Sequence, residues 1–128
     1  MRLLLDTHLL LWAAGHPERL PAPARKLLNN QRHALYFSAA SLWEIAIKNT
    51  LGRPDFRADA RDLRRRLLEN GYVEIPVTSE QAVNIDALPA LHKDPFDRIL
   101  LAQAITEGIT LLTADEQVAR YPGPIRKV

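Results

Sequence analysis

Cysteine is missing from this 128-residue chain. That removes disulfides, zinc-thiolate centres and thiol nucleophiles, and it is compatible with a reducing cytoplasm, the expected location. There is no glycine-rich loop to cradle phosphates and no serine in a G-x-S-x-G elbow. The histidines His8, His16, His33 and His92 show no H-E-x-x-H or similar ligand spacing. Long apolar runs are absent too: Asp6 and His8 interrupt the leucine-rich start, and the stretch after them is too short to span a bilayer, so no membrane association is expected. Catalysis, if there is any, falls to oxygen or imidazole chemistry.

A chain of 128 residues, 47% hydrophobic and 25% charged, matches one globular domain over residues 1–128, with a core from about 2 to 121. No repeat, linker or low-complexity segment divides it. The net charge is +2, but setting aside Asp6, Glu44, Asp97 and Asp115 leaves 17 basic residues against 15 less four acidic ones, or +6. An acidic spot on a basic body suits a metal-dependent enzyme acting on a polyanion.

Leu3 to Leu5 is a short apolar strand ending at Asp6, and Thr7 to Ala14 reads as a buried helix. Pro17, Pro21 and Pro23 punctuate a turn before a helix from Ala24 to Asn30, and Ala34 to Phe37 is a second strand ended by Ser38. Ala39 to Leu51 is an amphipathic helix stopped by Gly52 and Pro54. An arginine-rich helix follows from Ala58 to Asn70, then a strand over Tyr72 to Ile75, a helix over Ser79 to Leu88, and a helix over Pro95 to Glu107 closed by Gly108. The strand Ile109 to Leu112 and a short helix starting near Thr113 complete the reading. Alternating strands and helices predict an α/β fold, a parallel sheet with helices on both faces.

Local roles explain each acid singly. Ser41 with Glu44, and Thr113 with Glu116 around Asp115, fit capping boxes. Glu44 with Lys48 fits an i,i+4 ion pair, Asp94 fits an N-cap before Pro95, and Asp6 fits a cap on the first helix. Together they say more. In a parallel sheet every strand ends at one edge and every returning helix begins there, so Asp6, Glu44, Asp97 and Asp115 all project towards the carboxyl edge, where open α/β folds place their sites. Gathered carboxylates raise one another's pKa and call for a hard divalent cation, which can polarise a phosphoryl oxygen and activate water.

The pieces L-L-L-D-T-H at 3–8, S-A-A-S-L-W-E-I-A-I-K at 38–48, H-K-D-P-F-D-R-I-L-L-A-Q-A at 92–104 and L-L-T-A-D at 111–115 lie in order along nearly the whole chain. In these the sequence resembles bacterial toxin ribonucleases of the VapC type, which carry a PIN domain. The resemblance implies a single PIN-like, Rossmann-like domain and a Mg²⁺-dependent endoribonuclease, with Mn²⁺ as substitute. RNA would be the substrate and a cognate VapB-type antitoxin the inhibitor, the chain acting as a homodimer. By motif, Asp6, Glu44 and Asp97 match the central acids that act as catalytic residues and metal ligands, and Asp115 a more variable fourth. Thr7, Ser38, Asp94, Arg98 and Thr113 stand as substrate-contacting or supporting groups, each with a capping or ion-pair role as the plain alternative. Arg61, Arg64, Arg65 and Arg66 form either a solvated face or a track for a phosphate backbone. Trp43, Ile47 and Leu51 are either core or a dimer or antitoxin surface.

Three other readings compete. A receiver-type domain would need an acidic pair at the first strand and a late Lys-Pro. A haloacid-dehalogenase-like phosphatase would need Asp where His8 stands. The third is a catalytically inactive PIN-like module that binds RNA or a partner, against which the intact acid set speaks.

Overall fold

The computed structural model describes residues 1–91 and 93–128. Five strands, β1 (Arg2–Leu5), β2 (Ala34–Ser38), β3 (Val73–Ile75), β4 (Thr110–Thr113) and β5 (Ile125–Lys127), form one sheet in the order β3-β2-β1-β4-β5, every pairing parallel. The helices are α1 (Thr7–Gly15), α2 (Ala22–Asn29), α3 (Ala39–Thr50), α4 (Ala60–Glu69), α5 (Ser79–Val83), α6 (Pro95–Glu107) and α7 (Glu116–Ala119). The expected α/β class is the observed one.

The central strands carry continuous apolar runs, at 3–5, 34–37 and 111–112, because both their faces are covered. Leu3 and Leu5 of β1, Phe37 of β2 and Leu112 of β4 pack with Leu9 and Leu10 of α1, Ile45 of α3, and Leu63 and Leu67 of α4. The alternate residues Leu4 and Leu111 turn the other way, onto Leu100, Leu101 and Ala104 of α6 and Val118 of α7. A smaller contact of Ala40 with Ile99 and Ala102 joins α3 to α6. Sandwiched between sheet and other elements, α6 is buried without interruption from Ile99 to Ala104, which hides any amphipathic period. Among the described residues no helix is long and apolar enough to cross a membrane.

Several sequence expectations need correction. Pro23 lies inside the first turn of α2, where a missing N–H costs nothing, so the helix begins at Ala22. The segment expected as one helix from Ser79 to Leu88 is a short α5 followed by a 3-10 turn at Asn84–Ala87. The strand β5 had no sequence signal, since one apolar residue, Ile125, precedes Arg126 and Lys127. It is recruited as an edge strand by β4, with Leu111 N–H donating to Pro124 O at 2.7 Å and Val128 N–H to Thr113 O at 2.9 Å. Neither proposed capping box forms. Ser38 caps α3 by accepting from Ala40 N–H, and Asp115 itself caps α7.

Candidate carboxylate site

In this strand order the chain winds outward from β1 through β2 to β3, then returns to β4 on the other side of β1. The switch point therefore lies between the carboxyl ends of β1 and β4, the place where open sheets bind ligands. Asp6 follows β1 and Thr113 ends β4. Leu5 is in register with Leu112, and Asp6 N–H donates to Leu112 O at 3.0 Å, so the two ends are held level.

Asp6 is 5% exposed. Its Oδ1 accepts from Leu9 N–H at 2.9 Å, capping α1, and its Oδ2 accepts from the Thr113 hydroxyl at 2.6 Å. Burial pushes its pKa above the ordinary carboxylate value and outweighs the lowering by Thr113, the Leu9 amide and His8, while Asp115 raises it further. The Thr113 Oγ1 also accepts from Asp115 N–H at 3.0 Å, so one hydroxyl joins the acids after β1 and β4. Asp115 is exposed, and its Oδ1 caps α7 by accepting from Gln117 and Val118 N–H.

Glu44 arrives from α3. It is 3% exposed; Oε2 takes the Lys48 ammonium at 2.6 Å, and Oε1 is buried without a hydrogen-bond partner. The expected i,i+4 pair is present, but it is buried, not solvated. Thr7 donates to Ser41 Oγ at 3.0 Å, locking the first turns of α1 and α3 together. Ser38 is wholly buried in its capping role. Asp97 lies in the first turn of α6, half-buried, one turn from the N-cap Asp94, whose Oδ1 accepts from both Phe96 and Asp97 N–H. The parallel topology thus brings Asp6, Glu44, Asp97 and Asp115 to one edge. Among the described residues no three acids or histidines are drawn into a single metal-holding group. Lys48 holds Glu44, and helix caps occupy Asp6, Asp94 and Asp115.

The donor set nevertheless fits a hard divalent cation. Glu44 keeps one buried oxygen unpartnered although Lys48 holds the other, and Asp6 is a second buried carboxylate pushed towards protonation with an acid as neighbour, so both are groups that such a cation would complete. Other imidazoles are engaged elsewhere: His8 lies 3.5 Å from Asp55, His16 3.3 Å from Glu18, and His33 against the terminal amine. His92 lies outside the described residues. Clefts of about 400 and 340 Å³ open away from the acids, around Leu20, Arg25 and Tyr72 and around Trp12, Arg57 and Asp59.

Arg98 points away from a role on phosphate. Its guanidinium donates to the carbonyls of Ile85, Leu88 and Pro89 and to the Tyr121 hydroxyl, fastening the approach to α6. Of the arginines on α4, Arg64 grips Glu74 through two bonds, Arg65 pairs with Asp62 and Glu69, and Arg66 pairs with Asp62. Arg61 is exposed and has no ion pair among the described residues. The sequence gives Lys48 only an i,i+4 ion pair with Glu44, and Ser41 only a capping box. Their contacts with Phe56, Phe96 and Thr7 span gaps in the chain that no local pattern signals.

A PIN domain model matches residues 3–124. Ribonuclease VapC22 of Mycobacterium tuberculosis is 29% identical over 125 residues, 95% of each chain. Among solved structures, VapBC2 from Rickettsia felis bound to a promoter DNA fragment aligns over 100% of this chain and 99% of its own, at TM-score 0.74 and 16% identity. DNA-bound VapBC from Salmonella typhimurium aligns over 99% and 98%, at TM-score 0.66 and 18% identity. With a family model matching from the first strand to the turn before the last, over a parallel sheet with Asp6 at its switch point, the chain belongs to the PIN-domain family.

Proposed function

We propose that the protein is a Mg²⁺-dependent endoribonuclease, the toxin of a cytoplasmic toxin-antitoxin pair. The observation that carries this reading is a carboxyl edge where one buried acid, Asp6, is pushed towards protonation and another, Glu44, keeps a buried oxygen unpartnered. Groups strained in this way serve a ligand more often than they serve stability. Similarity to VapC22, a ribonuclease, supports the choice of RNA.

Asp6, Glu44, Asp97 and Asp115 would hold Mg²⁺, or Mn²⁺ in its place. The cation supplies Lewis-acid stabilisation of phosphoryl charge and a water acidic enough to attack near neutral pH. The protein's own part is placement. Thr113 fixes the Asp6 carboxylate by its hydroxyl and orients Asp115 through the backbone, while the α6 cap holds Asp97 at the start of its helix. The open edge suits a polymer that passes across it, and sequence choice would rest on unpaired bases presented there.

Trp43 and Ile47 of α3 and its C-cap Leu51 are 63%, 36% and 72% exposed and form a stripe at helical spacing. This stripe is the proposed dimer surface, and a VapB-type antitoxin is the proposed inhibitor, as the VapBC complexes suggest. The deciding experiment incubates purified protein with mixed single-stranded RNA in Mg²⁺, Mn²⁺ or excess EDTA. Cleavage that requires the metal is expected, and cleavage undiminished by EDTA overturns the reading.

A further inference from the structure

Lys48 is enclosed as a helix-surface lysine ordinarily is not. Its side chain is 18% exposed. The ammonium lies 2.6 Å from Glu44 Oε2 and 4.0 Å from Asp94 Oδ2, and 4.6 and 5.7 Å from the ring centres of Phe56 and Phe96. These partners come from α3, from the 3-10 turn at Pro54–Phe56 and from the start of α6. Asp94 spends Oδ1 on the α6 cap, which leaves Oδ2 to face Lys48. One cation therefore links the helix that carries Glu44 to the helix start that carries Asp97.

The link has a directional consequence. With Oε2 held by Lys48, Glu44 presents a single free oxygen, Oε1, buried and unpartnered. We propose that Lys48 is a positioning residue of the carboxylate site: it restrains Glu44 to act through Oε1 alone, and its resident charge keeps the affinity for the divalent cation low. The inference rests on the nuclease reading above. A lysine meant for phosphate would carry its ammonium to the rim, as a hydrated point charge. Here two carboxylates and two rings surround it.

Two substitutions separate charge from restraint. Lys48→Met removes both, whereas Lys48→Gln removes the charge and keeps a donor for Glu44 Oε2. Calorimetric titration with Mg²⁺ and steady-state cleavage of single-stranded RNA provide independent readouts. Both variants should bind Mg²⁺ more tightly than the wild type, by about fivefold, because the competing positive charge has gone. In Lys48→Met the kcat at saturating Mg²⁺ should fall by about tenfold or more, with the RNA KM held within about twofold, while Lys48→Gln recovers much of that kcat. Tighter metal with slower turnover is the signature. In a Glu44→Gln background, Lys48→Met should still raise the Mg²⁺ affinity, because the ammonium's charge is removed all the same, but it should cost no further kcat, since there is no Glu44 carboxylate left to position.

Unchanged or weakened Mg²⁺ binding in both variants, with activity tracking the folded fraction, makes Lys48 a packing residue and overturns the proposal. A raised KM with a flattened salt dependence makes it a phosphate contact and overturns it equally. If Lys48→Met does not fold, the Mg²⁺ affinity of Lys48→Gln decides alone. A wild type that neither binds Mg²⁺ nor cuts RNA overturns the nuclease reading together with this inference, whereas a wild type that does both beside unaltered variants overturns only the inference.

Discussion

The arginine helix α4 and the carboxyl edge of the sheet both concentrate charge of one sign, yet they treat it in opposite ways. On α4, Arg64, Arg65 and Arg66 lie in solvent and each meets carboxylates within reach. Such pairs are screened and individually weak, and they leave no group in want of a partner. At the edge, Asp6 and Glu44 are almost wholly buried, the first raised in pKa by that burial and the second with an oxygen unpartnered. A buried, incompletely satisfied charge costs stability, and its presence points to a ligand that completes it.

The sharpest way to break the contrast is to neutralise each region and follow RNA cleavage. Asp6→Asn and Asp97→Asn should each lower kcat by about a thousandfold or more, since a site of few carboxylates loses both charge and ligand. Glu44→Gln should be severely impaired too. Asp115→Asn should keep measurable activity, because that residue is exposed and its oxygen caps α7. Activity near wild type in Asp6→Asn would remove the edge as the active site.

Stability should respond next, and through a residue that the sequence left open between a phosphate contact and a structural partner. Arg98→Ala should cost about 2 kcal/mol in denaturant melts, because it abandons three carbonyls and a hydroxyl in partly buried surroundings. The RNA KM of the folded variant should stay unchanged. A rise in KM without loss of stability would restore Arg98 as a phosphate contact.

The third effect has a sign that helps distinguish a functional acid from a cap. The Asp6 pKa is raised in the folded state, so its contribution to stability is complete below the ordinary carboxylate pKa and is lost as pH climbs through the raised value. Asp6→Asn cannot ionise and escapes that loss. In EDTA, thermal melts should therefore put the variant several degrees above wild type near neutral pH, with the gap closing in acid. A variant less stable than wild type at both ends would mean that the Leu9 and Thr113 bonds outweigh the buried charge.

The smallest effects belong to α4. Arg64→Ala and Arg65→Ala should leave the melting temperature within error and cleavage within about twofold, as exposed pairs do. A steep loss of RNA affinity in either would show that the helix tracks the backbone of the substrate.

Much of the fold was legible because its signals are local. Pro95 through Glu107 reads as a helix from an Asp-Pro start to a Gly stop, and the structure ends it at Gly108 with a positive φ of 67°. Leu3 to Leu5 reads as a strand because three consecutive leucines need cover on both sides. The edge on which the acids meet follows from parallel connectivity, which the alternation of elements implies. Illegible features were those with partners far along the chain. The edge strand β5 depends on β4 more than on its own residues, and Arg98 depends on carbonyls at 85–89 and on Tyr121.

By itself, then, the sequence determined which residues are acids, where each stands relative to a strand end or helix start, and hence that they share an edge. Periodicity and capping act over a few residues, and topology extends them to the whole sheet. Only the tertiary structure decided what each acid faces there. Thr113 reaches Asp6 across 107 positions of chain, and Lys48 becomes an interior cation because Phe56, Phe96 and Asp94 close around it. Desolvation and partner geometry arise from packing between distant segments, and these are the quantities that turn ordinary carboxylates into a candidate site.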